Sequence, residues 1–164
     1  MAVGPIVQYD IDAQGLAHDE RLLALYRLWD SKRRGRTLPA RADFEHAELA
    51  PWFGNLILLD VLEGGKDFHY RLFGVTLAEE AGFDMTGRKL TDYPITSNLP
   101  HFFSVFTEII KRRSPALSEH DPAVPNVRRR RRLILPLGRN GETVDMMMTY
   151  NYAVEIVRPP DPYL

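Results

Sequence analysis

The feature that most constrains this chain is the stretch from Leu56 to Phe73. Leu56 to Leu62 is an apolar run broken only by Asp60, the pattern of a strand covered on both faces. Glu63-Gly64-Gly65-Lys66 follows, and glycine reaches positive φ without steric cost, so the chain can reverse tightly here. The return run alternates, with Phe68, Tyr70 and Leu72 on one face and His69, Arg71 and Phe73 on the other. Gly74 ends this strand. Val75 to Ala81 then reads as a short helix with Leu77, Ala78 and Ala81 inward and Glu79 and Glu80 outward. Gly82 suits its C-cap, and Asp84 to Arg88 forms a second turn. A hairpin and helix of this kind need further layers to close a core, and the rest of the chain must supply them.

Residues 1–17 are weakly patterned, with Ile6, Val7 and Tyr9 forming a short strand or a docked arm. A helix follows over 19–34. Leu22, Leu25, Tyr26 and Trp29 recur at helical spacing, and Leu23 and Leu28 widen the stripe. Acidic residues in its first turn and Lys32, Arg33 and Arg34 in its last agree with the helix dipole. Such a stripe either packs wholly on its own domain or, since one sheet covers only one side of it, also meets a second copy, in a twofold homodimer with Leu22, Leu25, Tyr26 and Trp29 at its interface. Arg36 to Pro51 is a connector that includes a short helix over 42–49 capped by Asp43. Arg41 within it is either a surface charge or a clamp for a carboxylate.

A second long helix is expected over 98–113, capped by Ser97 or Asn98, with Phe102, Phe103, Val105, Phe106, Ile109 and Ile110 on its apolar face. Residues 116–120 make a short strand and 121–126, with two prolines, a loop. Arg128 to Arg132 leads into the strand Leu133 to Leu137, and Gly138-Arg139-Asn140-Gly141 turns the chain. The last strand, Val144 to Ile156, places Val144, Met146, Met148 and Tyr150 on one face and Asp145, Met147 and Thr149 on the other. The sum is an α+β fold: a five-stranded antiparallel sheet with helices on one face and an N-terminal flanking helix. The divisions are an arm and flanking helix over 1–51, the sheet domain over 52–157, and a proline-rich tail over 158–164.

Composition narrows function more than it names it. The formal net charge of the 164 residues is -1, so no global field recruits nucleic acid or anionic lipid. With no cysteine, disulfides, thiolate metal sites and thiol-linked cofactors are excluded. The N-terminus lacks the basic start and apolar core of a signal peptide, and no apolar run reaches membrane-spanning length. A cytoplasmic location is the default expectation.

Five consecutive arginines, 128 to 132, invite a nucleic-acid reading. They enter a strand, however, where at most half share a face, so a solvated strand or a contact to an anion or acidic partner competes with that reading. The histidines at 18, 46, 69, 101 and 120 show neither the i, i+4 spacing nor the carboxylates of a metal site. No nucleophile elbow, phosphate loop or dinucleotide fingerprint is present. A pocket lined by Tyr70, Phe102, Phe106, Met146, Met148 and Tyr150, with Arg71 as its polar contact, is the candidate ligand site. A filled core at the same place is the competing expectation.

Phe68-His-Tyr-Arg-Leu-Phe-Gly74, the short helix, and Gly82-Phe-Asp-Met-Thr-Gly87-Arg-Lys-Leu90 together resemble the front half of a PAS sensory domain. Trp29 in the first helix and Leu38-Pro39-Ala40-Arg41 resemble the opening of a family of short, stand-alone bacterial PAS proteins. The likeness covers roughly residues 22–150. It implies that the helix over 98–113 lies across the sheet and walls a pocket. It also implies that the flanking helix pairs two copies and that the chain is a non-catalytic sensor or adaptor holding a small molecule or a protein partner. Some PAS domains bind haem through a histidine on the long helix, and His101 holds the comparable place. No kinase, cyclase or DNA-binding segment follows in these residues, so the signal is expected to pass by protein contact. No particular cofactor or signalling partner is singled out. The alternatives are a small-molecule enzyme on an α+β scaffold and nucleic-acid binding through Arg128 to Arg132.

Overall fold

The computed structural model describes residues 4–157 and residue 163. Its strands are β1 (Ile6–Tyr9), β2 (Leu56–Leu62), β3 (Asp67–Phe73), β4 (Ala116–His120), β5 (Val127–Leu137) and β6 (Met146–Ile156). Its α-helices are α1 (Glu20–Arg33), α2 (His46–Leu49), α3 (Val75–Ala81) and α4 (Leu99–Arg112). The six strands form one antiparallel sheet in the order β1-β4-β5-β6-β2-β3. The sheet is thus one strand wider than expected. β1 adds to the free edge of β4, with Ile6 opposite Glu119 and Tyr9 opposite Ala116. A four-residue edge strand that is half exposed carries little alternation, which is why its sequence also suits a docked arm.

The hairpin forms as read. Gly64 and Gly65 sit at φ 66° and 106° in the turn between β2 and β3. One feature of β3 departs from simple alternation. Leu58 pairs with Leu72 but Leu59 pairs with Tyr70, leaving Arg71 as the extra residue of a bulge. The bulge reverses the phase of everything beyond it. Phe73 therefore joins Phe68 and Tyr70 on one face, and Leu72 takes the other, contrary to the sequence alternation. Gly74 follows at a close backbone approach: a Cβ there would lie 2.8 Å from the Phe53 carbonyl oxygen and nearer still to that of Gly54.

Residues paired across strands share a face, which gives the sheet two distinct surfaces. One row runs Ile57, Thr149, Ile134, Ala116, and α4 lies over this face through Phe102 and Phe106. The next row, Leu58, Met148, Leu135, belongs to the opposite face, which α1 covers. There Asp19 accepts a short hydrogen bond from the Tyr152 hydroxyl, and the Arg21 guanidinium lies 5.7 Å from the centre of the Tyr150 ring. The Trp29 indole donates to the Pro136 carbonyl at 2.8 Å. Helices therefore sandwich the sheet rather than cover one face.

This placement favours the own-domain reading of the first stripe over the interface reading at Leu22, Leu25 and Trp29. Leu22, Leu25 and Trp29 are exposed by only 0, 0 and 1% within a single chain, so they are core and present no surface to a second copy. Tyr26 alone of the four stays half-exposed. Burying each such leucine contributes about 1.5–3 kcal/mol, enough to fix α1 on the sheet. Capping also differs in detail. Asp19 accepts from the Leu22 amide as an N-cap, but Asn98 makes no cap bond to α4 and instead donates to the Pro122 carbonyl at 3.1 Å. Asp43 caps a separate turn at Arg41–Asp43 and holds Arg36 at 2.6 Å. The expected tail lies outside the described residues except for Tyr163.

Candidate functional site: a buried arginine between the sheet and α4

The arginine run divides as a strand requires. Arg129 and Arg131 turn to the α1 face, where Arg131 donates to the Tyr152 hydroxyl at 2.8 Å and to Glu119 at 3.3 Å and Arg129 lies 3.8 Å from Glu119. Arg130 and Arg132 turn toward α4 and are exposed by only 5 and 3%. Arg128 alone of the five is exposed. The run thus offers no continuous basic surface.

Arg130 and Arg132 have different surroundings. Arg130 reaches out to Glu80 on α3 at 2.6 Å. Arg132 has no carboxylate within ion-pair distance among the described residues. Its Nε makes one long bond to the Ser118 hydroxyl, 3.4 Å, and its Nη2 has no partner. The guanidinium carbon stands 4.8 Å from the centre of the Phe102 ring and 5.0 Å from that of Phe106. Cation–π contact contributes about 2 kcal/mol in a desolvated site, while stripping a cation of water costs several. Burial accordingly pushes the Arg132 pKa down to about 10, which still leaves it charged at neutral pH.

Ser118, Arg132 and Asn151 form one cross-strand row, and His120 pairs with Arg130 in the next. His120 is 3% exposed and its Nδ1 has no partner. Burial first, and then the charge of Arg132, push its pKa down to about 2. His101, in the first turn of α4, faces it with ring centres 5.4 Å apart. The same two causes, in the same order, bring His101 down to about 4, so both imidazoles stay neutral. Burial raises the Tyr70 and Tyr93 hydroxyls, so both stay protonated. Asn151 donates to Thr149 at 2.9 Å. Tyr70, Tyr93, His120, Arg130, Arg132, Thr149 and Asn151, with the aromatic wall of α4, line a cavity with about 20 Å³ open to the centre of a water-sized group, room for roughly one water. That space is far too small for a haem beside His101.

Of the residues expected at the pocket, Tyr70, Phe102 and Phe106 do meet there. Met146, Met148 and Tyr150 do not. They pair with Leu137, Leu135 and Leu133 on the α1 face, and Thr149 and Asn151 line the cavity instead. Three consecutive methionines make both faces of β6 apolar, so alternation alone does not tell which faces α4. Arg71, on the bulge, has a side chain 62% exposed and pairs with Asp60 at 3.0 Å. It borders a separate groove of about 320 Å³ with Arg41, Asp145 and Met146. Arg41 itself donates to the Phe44 carbonyl at 3.0 Å, and His69 contacts Asp60 at 3.2 Å as a structural histidine. Sequence patterning does not mark the cavity's polar residues, Arg132, His120 and Asn151, as lining a site. The signal for Arg132 is phase: it stands two residues before Ile134, in step with it on the strand.

The described residues hold no group of three or more His, Asp or Glu placed for a metal, and no helix among them is long and apolar enough to cross a membrane. No curated protein matches the chain. Among solved structures, the chain is similar to an RNA-binding light-oxygen-voltage receptor at 14% identity and a TM-score of 0.45, over 72% of this chain and 36% of that one. It thus spans about a third of that receptor's length. It is also similar to a sensory box histidine kinase/response regulator from Burkholderia thailandensis at 12% identity and a TM-score of 0.40, over 68% of this chain and 86% of that one. Residues 18–149 match the PAS domain family. That span takes in α1, the hairpin, α4 and the cavity between α4 and the sheet, and on it the chain belongs to the PAS domain family.

Proposed function

We propose that this chain is a sensory PAS module that holds a small molecule between α4 and the sheet, relays its presence by contact with a protein partner, and performs no catalytic step. One observation carries the reading: Arg132 is a buried cation without an acidic partner, in a cavity whose other lining groups are neutral except Arg130, which is paired with Glu80. A guanidinium needed only to fill core would be replaced at little cost by an apolar side chain. A cavity with a few convergent polar groups in an aromatic wall is the usual form of a ligand site. A twofold homodimer remains part of the proposal, with Tyr26 and the flanking Leu23 and Leu28 the stripe residues left partly exposed to face a second copy.

Native mass spectrometry of the purified protein and a thermal-shift screen of small molecules test the reading together. The expected result is a retained mass or a stabilising compound whose effect Thr149→Leu abolishes by occluding the cavity. A protein that retains nothing, and whose melting no compound alters, has a filled core at this place and no ligand site. Sedimentation equilibrium tests assembly: a monomer at tens of micromolar, roughly where a weak dimer forms, removes the homodimer.

A further inference from the structure

We infer that the ligand of this cavity is a small monocarboxylate whose two oxygens pair with the guanidinium of Arg132. The inference rests on the ligand-holding reading above and gives it a chemical class. Around Arg132, Tyr70 comes from β3, Tyr93 from the segment before α4, His101 from α4, His120 from β4 and Asn151 from β6. None of these groups carries negative charge at neutral pH. Arg130 also lines the cavity, but its charge is met by Glu80 at 2.6 Å. The cavity therefore holds one uncompensated positive charge.

One unpaired cation in a desolvated space matches one anionic charge. A dianion would leave an excess buried negative charge, which is as costly as the original positive one. The guanidinium is a planar fork of donors whose geometry matches a carboxylate's two oxygens. The fork is open here, since Nη2 has no partner and Nε makes only a 3.4 Å bond. Asn151, whose Nδ2 already donates to Thr149, lies in the same cross-strand row as Arg132. The small space selects a short acid, one whose head group displaces about one water. The phenyl rings of Phe102 and Phe106 cover the guanidinium and exclude the solvent that would otherwise screen the pair.

The test uses the full chain and measures melting in formate, acetate and propionate. Controls are propionamide, which has the shape of propionate without its charge, and chloride and phosphate at matched ionic strength. The expected result is a rise in melting temperature with at least one carboxylate at millimolar concentration and none with propionamide, chloride or phosphate. Arg132→Met should abolish the carboxylate effect while its own melting temperature without additive equals or exceeds the wild type's. If Arg132→Met does not fold, the Arg132 Nε–Hε resonance of the wild type decides. It must move on titration with the stabilising carboxylate and stay fixed with propionamide. Equal stabilisation by chloride, or a resonance that ignores carboxylates, overturns the proposal. A neutral compound that stabilises wild type and Arg132→Met alike overturns the carboxylate class but leaves the ligand-holding reading intact. Failure of every compound, charged or neutral, removes both.

Discussion

Leu25→Asp separates a helix that is core from a helix that is an interface. Leu25 is 0% exposed in a single chain, in the middle of α1. Deleting a buried leucine side chain costs about 2–5 kcal/mol. The aspartate then adds a buried polar group without a partner, about 1–3 kcal/mol even if it takes up a proton and more if it stays ionised. The sum, roughly 3–8 kcal/mol, is a large share of the 5–15 kcal/mol that holds a typical domain together. The expected outcome is therefore loss of the fold at ambient temperature, seen as collapse of the near-ultraviolet circular dichroism and a urea midpoint too low to fit. Ala24→Asp is the control. Residue 24 is exposed on the same helix turn, so its midpoint should stay within about 0.5 kcal/mol of wild type. Sedimentation equilibrium runs alongside. A Leu25→Asp chain that stays folded, with a wild-type urea midpoint and only a lower mass, would show that the stripe faces a second copy and that the burial argument is wrong.

Trp29→Phe removes the indole donor from the Pro136 carbonyl and should cost about 1–3 kcal/mol by urea denaturation, and an unchanged midpoint would mean that this bond contributes nothing. Gly74→Ala should destabilise by about 1–3 kcal/mol or more, because its Cβ has no room between the carbonyls of Phe53 and Gly54, and a wild-type melting temperature would refute the close approach. His120 is neutral in the fold, with a pKa pushed down to about 2, while the unfolded chain protonates it near pH 6.5. Its contribution is thus complete above about pH 6.5 and is lost as pH falls toward 2, at about 1.4 kcal/mol per pH unit. The lowered carboxylates, such as Asp19 and Asp43, lose their contribution only as pH falls through and below the usual carboxylate range, so the interval from pH 6.5 to about 4.5 isolates the histidines. Urea midpoints across it should fall for wild type and fall less for His120→Gln, and equal slopes would show that His120 is not the group responsible.

The elements of the fold were largely legible because each rests on local signals. The apolar run of β2, the Gly64-Gly65 turn and the stripe of α4 depend on neighbours within a few residues. Sheet order and faces depend on distant partners, and there the sequence underdetermines the answer. β1 is recognisable only from the edge of β4 that it completes. The bulge at Arg71 has no local marker, yet it alone decides that Phe73 joins Tyr70. In β6, Met146 and Met147 are equally apolar, so nothing local tells which of two alternating sets faces α4.

The arginine run shows why a site can be hidden by composition. Five like charges in sequence read as a solvated or nucleic-acid-binding surface because isolated buried charge is costly. A strand nevertheless sends alternate residues to opposite faces, and the cost falls unequally on the two sets. Arg129 and Arg131 meet carboxylates at the surface of the α1 side, and Arg130 reaches one through the edge of the cavity. Arg132, the last of the run, has entered the part of β5 covered by α4, without an ion pair to any of those acids, and its charge is met by aromatic faces and one long hydrogen bond to the Ser118 hydroxyl. Depth along the strand, rather than the composition of the run, therefore makes this one arginine different from its neighbours. Depth is set by where β4, β6 and α4 lie around it, which no stretch of five residues can specify. Moving the charge one position, in the double variant Arg132→Leu, Leu133→Arg, keeps the composition but turns the guanidinium to the α1 face. There Leu133 is itself 0% exposed and pairs with Tyr150, whose ring already carries the guanidinium of Arg21. The swap should destabilise the fold by several kcal/mol, on the order of an uncompensated buried charge, and should abolish any carboxylate effect on melting. A swapped chain as stable as the wild type would mean that position along the strand does not govern the site.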